Sequence, residues 1–111
     1  MLNYRVLGQV NPAANANTLL YTVTNGASAI LSSIMITNQQ ANGSMYYIAV
    51  VPSGQNQQYP ASKNFISYSS PVPANDTISL VTGITMGSND SIIVTANNAN
   101  VSFSVFGTEI S

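Results

Sequence analysis

The chain contains no histidine and no cysteine, and only 5% of its 111 residues carry charge. Without histidine there is no Ser-His-Asp or Cys-His nucleophile system. Without histidine or cysteine the usual transition-metal ligands are missing, and so is any disulfide framework. The charged residues are Arg5, Lys63, Asp76, Asp90 and Glu109, where a typical domain carries about 25%. Two lone cations exclude the basic footprint of a nucleic-acid binder. No window shows helical periodicity, so no phosphate loop opens a helix. The longest apolar run, Met45–Val51, is far short of the ~20 residues of a membrane-spanning helix. The start, Met1–Val6, has neither the basic nor the long apolar region of a signal peptide.

The three carboxylates give little chemistry. Asp76 and Asp90 are the conceivable acid/base pair of a glycosidase. Both stand in Asn-Asp-Thr/Ser turns, where capping of local backbone N–H groups accounts for them. A Ca²⁺ site on either would lack the several carboxylates that six or more oxygen ligands usually include. Ser62 and Lys63 are neighbours, and adjacent strand residues point to opposite faces. The expectation is a non-enzymatic protein with no catalytic residue, no cofactor and no metal.

In place of charge the chain carries Ser, Thr, Asn and Gln, with 45% hydrophobic residues. That hydrophobic share argues against disorder. A near-neutral, amide-rich surface suits a protein packed against copies of itself, because soluble monomers usually keep net charge away from zero. The length fits one domain over residues 1–111.

Two Asn-Gly dipeptides, Asn25–Gly26 and Asn42–Gly43, punctuate strand-forming runs. Asn-Gly suits the type I′ turn of a two-residue hairpin. The reading is a meander of Thr18–Thr24, Ala27–Asn38 and Ser44–Val51, with a longer crossing loop at Asn38–Ser44 as the alternative to the second hairpin. In that register Tyr21 faces Ile30 and Ile36 faces Ala49. One face collects Leu19, Tyr21, Val23, Ile30, Ile34, Ile36, Tyr47, Ala49 and Val51, and is expected to be the core. The other collects Leu20, Leu31, Met35, Tyr46, Ile48 and Val50. A sheet apolar on both faces is covered on both. The second face is therefore either covered by a loop or layer of the same domain, or is a subunit interface.

Further strands are expected at Leu2–Val10, Lys63–Tyr68 (at an edge), Thr77–Met86 with a bulge at Gly83, Ser91–Ala96, and from Val101 onward with a bulge at Gly107. Asn11–Asn17 is a polar loop or an arm to a neighbouring subunit. The fold class is all-β: an antiparallel β-sandwich of about eight strands, jelly-roll or Ig-like. If the first and last strands pair, Arg5 and Glu109 can meet as an exposed ion pair. The tyrosines, Tyr59 among them, together with the amides offer a glycan platform, which makes a carbohydrate-binding module of a tail or baseplate the alternative function.

The segments Pro71–Thr77, Val81–Met86, Asn89–Asp90 and Asn100–Ile110, with Leu20–Val23 and Ser32–Asn38 before them, resemble small structural proteins of tailed bacteriophages, including cyanophages. The resemblance covers nearly the whole chain. It implies a virion component present in many copies, made in the bacterial cytoplasm and without enzymatic activity. The implied partners are the chain itself, as a trimer or higher oligomer, and virion proteins such as the major capsid protein, with no nucleic acid and no membrane. It leaves open whether the copies decorate or cement the head or sit on the tail.

Overall fold

The computed structural model describes residues 2–111, with side chains from residue 5 onward. Eight strands are present: β1 (Leu2–Val10), β2 (Thr18–Thr22), β3 (Ser28–Asn38), β4 (Ser44–Val51), β5 (Phe65–Val72), β6 (Thr77–Met86), β7 (Ser91–Ala96) and β8 (Val101–Ile110). They form two four-stranded antiparallel sheets, sheet A in the order β1-β8-β3-β6 and sheet B in the order β2-β7-β4-β5. The architecture is an all-β sandwich, and this strand order is that of a jelly roll. Only β4 and β5 are both consecutive in the chain and paired in a sheet. Every other connection crosses from one sheet to the other.

The expected meander does not form. β2 pairs only with β7, β3 lies between β8 and β6, and β4 lies between β7 and β5. The Asn25–Gly26 turn exists, closed by Ala27 N–H donating to Thr24 O at 2.9 Å. However, φ is positive at Gly26 (+85°) and not at Asn25, as in a type II turn, whereas type I′ needs both. Turns of that hand splay the flanking strands, and here they send β2 and β3 to different sheets. The Asn42–Gly43 segment belongs to a loop that crosses between sheets. Buried Asn38 organises it, its amide donating to Asn42 O (2.9 Å), Pro73 O (3.2 Å) and Val72 O (3.3 Å).

Between the sheets lie Leu31, Ile34, Ile36, Ile48, Ile92, Val94, Val101, Phe103 and Val105, all fully buried. Burial of each such aliphatic or aromatic side chain contributes about 1.5–3 kcal/mol. Tyr46 and Phe103 meet edge to face at 6.3 Å across the two sheets. Leu31 and Ile34 are three apart, yet both point inward. A register shift between Leu31 and Ser33 changes the phase of β3, since a bulge moves the following side chains to the other face. Two hydroxyls bond carbonyls at the gap: Thr82 Oγ1 donates to Leu31 O (2.8 Å) and Ser32 Oγ to Phe106 O (3.1 Å).

β8 is not bulged at Gly107. Its two neighbours are, at Leu7 on β1 and Ser32 on β3. Gly107 occupies an inward position and β3 closes on it: a Cβ there would stand 2.3 Å from Ile30 O. The inward phase then runs on to Glu109, leaving Ile110 outside. Glu109 is 5% exposed. It accepts from the Tyr21 hydroxyl of the opposite sheet and from Thr24 Oγ1 at 3.0 Å, and Arg5 stands 3.5 Å away. The Arg5–Glu109 pair thus forms, but on a buried carboxylate whose main partners are hydroxyls. The Tyr21 hydrogen bond in the first place, with Thr24 and then Arg5, holds the Glu109 carboxyl below its ordinary 4.5 against the opposing effect of burial. Burial, and then Glu109, raise the Tyr21 phenol.

Two outcomes follow. Gly107→Ala will lower stability by about 1–3 kcal/mol, through overpacking against the β3 backbone, read by urea denaturation. Glu109→Gln will cost about 1–3 kcal/mol at pH 7. Because the folded-state pKa is depressed, the carboxylate's contribution is complete above the ordinary glutamate pKa and is lost as pH falls through the folded value. The gap between wild type and Glu109→Gln will therefore shrink from pH 7 to pH 3 in the same denaturation series.

Candidate functional site

The six residues expected at a subunit interface divide in two. Leu20, Leu31, Tyr46 and Ile48 are buried among the residues between the two sheets. That corrects their assignment: the second apolar face of the expected meander is the intramolecular core. Val50 is half-buried and packs against the same core. Met35 is half-buried and belongs to the outer face of sheet A.

The face expected to be the core is divided as well. Ala49, Val51 and Ile93 form a small cluster on the outside of sheet B with Phe65 against it. The 52–64 connection is tied down over this region, with Gln57 Nε2 donating to Ser91 Oγ (2.8 Å) and Ser53 N–H to Asp90 Oδ1 (2.8 Å). On the outer face of β4, Ala49 and Val51 are therefore covered within the chain, while Met45 stays exposed. Leu19 and Ile30 are instead exposed, at 50% and 45%.

The carboxylates cap turns. Asp90 Oδ2 accepts from Gly87 N–H (2.8 Å) and Asp76 Oδ1 from Thr77 N–H (2.8 Å). They stand at opposite ends of ten-residue β6, roughly 30 Å apart at strand rise. A glycosidase pair needs ~5–9.5 Å, so these two are not one.

Two outer surfaces remain. On sheet A, pairing places Val6, Phe106, Ser33 and Val81 in one row across all four strands. Val6 is 45% and Val81 86% exposed. Ile30 lies in the row on one side and Met35 in the row on the other, among Ser and Thr residues. None of these side chains is charged. Val81 was legible in the alternation of β6, whose Ile78 and Leu80 face inward. Ile30 was not, because the phase change at Ser32 is invisible to a period-2 count.

On sheet B, Asn15, Asn17, Tyr47, Phe65, Tyr68 and Thr95 line an open pocket of about 270 Å³. Thr95 is the register partner of Tyr47, and Thr95 Oγ1 donates to Asn17 Oδ1 at 2.6 Å. Asn17 in turn donates to Gln58 O (2.8 Å). The 11–17 loop is thus pinned to its own sheet. Tyr68 stands edge to face against Tyr47 (4.9 Å) and Phe65 (5.1 Å). Phe65 and Tyr68 are three apart, and in a regular strand would lie on opposite faces. Register shifts on either side of the Ile48–Ser67 pair bring them together. Ser69 at the second shift is left-handed, with φ +50°, and its hydroxyl donates to Tyr47 Oη (2.8 Å). Tyr59, the loop tyrosine expected to serve a glycan platform, is not part of this pocket. Tyr47 and Tyr68 are among the tyrosines expected in such a platform, but their convergence with Phe65 and the two asparagines was not legible, because the side chains come from four separate segments.

Ile48→Ala tests the corrected assignment. It will destabilise the fold by about 2–5 kcal/mol as a buried large-to-small change, measured by denaturation at concentrations where any oligomer has dissociated.

No family model and no curated protein matches the chain. Among solved structures, one of infectious bursal disease virus, Gx strain, aligns with 98% of this chain and 30% of its own at 10% identity and a TM-score of 0.46. Two structures of a pentameric capsid protein isolated from metagenomic phage sequences align with 98% of this chain at 16% identity and a TM-score of 0.31. The chain spans 65% and 64% of those two.

Proposed function

We propose that the protein is a non-enzymatic structural component of a phage virion that associates with copies of itself through the outer face of sheet A and decorates or cements the particle. The observation that carries the proposal is the uncharged row Val6–Phe106–Ser33–Val81, which crosses all four strands and is flanked by Ile30 and Met35. Four strands at ~4.8 Å spacing and about 30 Å length give a face of roughly 600 Å². That approaches the ~800 Å² each partner contributes to a standard interface. A second copy suits such a face, because an uncharged apolar and hydroxyl surface is complementary to itself and offers a charged partner nothing to pair with. The low charge of the whole chain and the resemblance to small phage structural proteins support the same reading.

Sedimentation velocity over a concentration series tests the proposal. Wild-type protein will form an oligomer and co-sediment with capsids. Val81→Asp will keep its thermal midpoint, because the side chain is 86% exposed. It will weaken self-association about 100-fold, since a carboxylate would have to be desolvated in the contact. A wild-type chain that stays monomeric at high concentration and ignores capsids overturns the proposal.

A further inference from the structure

The pocket on sheet B is built differently from the face of sheet A. It joins aromatic rings to unspent hydrogen-bonding groups, with no charged side chain in its lining. Tyr68 is 68% exposed, so its ring is open to a ligand while Tyr47 and Phe65 hold it from the side. Asn15 is held in the left-handed region, at φ +58°, with its backbone N–H donating to Ala96 O at 2.7 Å. Its exposed side-chain amide keeps both donor and acceptor for a guest. Tyr47 Oη accepts from Ser69 and retains its own proton to donate. Asn17 has one amide hydrogen beyond the one given to Gln58.

An apolar ring face beside paired donors and acceptors matches one ligand class well. A pyranose presents C–H groups on one side and a rim of hydroxyls that both donate and accept. An open pocket of about 270 Å³ lies just under the ~300–1,000 Å³ of small-molecule sites, room enough for one sugar ring. The absence of a cation in the lining disfavours acidic sugars and phosphates, whose charge would go unpaired. The backbone supports the same assignment. Two register shifts and a left-handed serine are concentrated on β5, and their effect is to bring Phe65 and Tyr68 to one face. Bulges and local backbone strain recur where a strand re-aims a side chain for binding.

We propose that the pocket formed by Asn15, Asn17, Tyr47, Phe65, Tyr68 and Thr95 binds a single neutral pyranose residue of a surface glycan. The proposal is independent of self-association, which uses the opposite sheet.

Titration of the full chain, followed by amide NMR, with the methyl glycosides of glucose, galactose, mannose and N-acetylglucosamine, and with N-acetylneuraminic acid, tests it. At least one neutral glycoside will give saturating shifts at Asn15, Asn17 and Thr95. Tyr68→Ala will weaken that binding about 10-fold or more. Asn15→Gly, which keeps the left-handed backbone, will weaken it several-fold and serves as the second arm should Tyr68→Ala disturb β5. The proposal is overturned if no neutral glycoside saturates at roughly 100 mM, well above a millimolar dissociation constant. It is equally overturned if the acidic sugar binds best, or if binding survives both substitutions unchanged.

Discussion

Leu2 faces Ile110, Thr18 faces Val94, Thr37 faces Thr77 and Ser44 faces Val72. Each step forward through the first half of the chain is matched by a step back through the second. The chain therefore doubles over once, at the 52–64 connection, into one long antiparallel ribbon of strand pairs: β4 with β5, β3 with β6, β2 with β7 and β1 with β8. Rolling that ribbon closes two further seams, β3 on β8 and β4 on β7. Sandwich, strand order and the exposure of each face all follow from this ribbon and its rolling. Such a fold depends on pairings distant in sequence, which makes loop closure its main kinetic barrier.

A rolled ribbon must bend, and bulges supply the bend. They sit at Leu7, near Leu20, at Ser32, on β6 at Thr82–Gly83 where Gly83 predicted one, and twice on β5. Those on β1, β2, β3 and β5 also reset which residues face the core. At Ser32 the change turns Leu31 and Ile34 inward together and exposes Ile30. On β5 the same device turns Phe65 and Tyr68 outward together. Curvature and surface chemistry thus have one origin: the irregularities that let the sheets wrap also place the apolar row on sheet A and the aromatic pocket on sheet B.

This explains which parts of the molecule were legible in the sequence. Most strand positions were, because turn residues bound them: Asn75–Asp76 before β6 and Gly87–Asp90 before β7. The strand expected at Lys63–Tyr68 instead runs over Phe65–Val72, and carries Pro71 because it is an edge, where a missing N–H breaks no ladder. The two-sided apolar character of β4 was legible too, as its seven-residue apolar run shows. Pairing was not, because an Asn-Gly turn reads the same whether its strands pair or splay, and only φ at Asn25 separates the two. Nor was the identity of the core face. Alternation fixes which residues share a face only between bulges, and Ser32–Ser33 looks like any other polar pair. Glu109 was misplaced for a related reason. A carboxylate at an inward position imitates a phase shift, and only the hydroxyls of Tyr21 and Thr24, from distant segments, make that position tolerable.

Glu109 also shows how a chain with so few charges uses them. Its carboxylate ties the end of β8 to β2 across the sandwich, with Arg5 of β1 alongside. Asp90 ties the turn before β7 to the 52–64 connection, and Asp76 closes the turn into β6. All three carboxylates are thus engaged in holding backbone or strands in place. The two outer surfaces are left to hydroxyls, amides and apolar groups. A surface of that kind gains little from long-range steering and gives up little desolvation energy on contact. It suits contacts made by shape and local concentration, between many copies held close together, better than capture of a dilute charged partner.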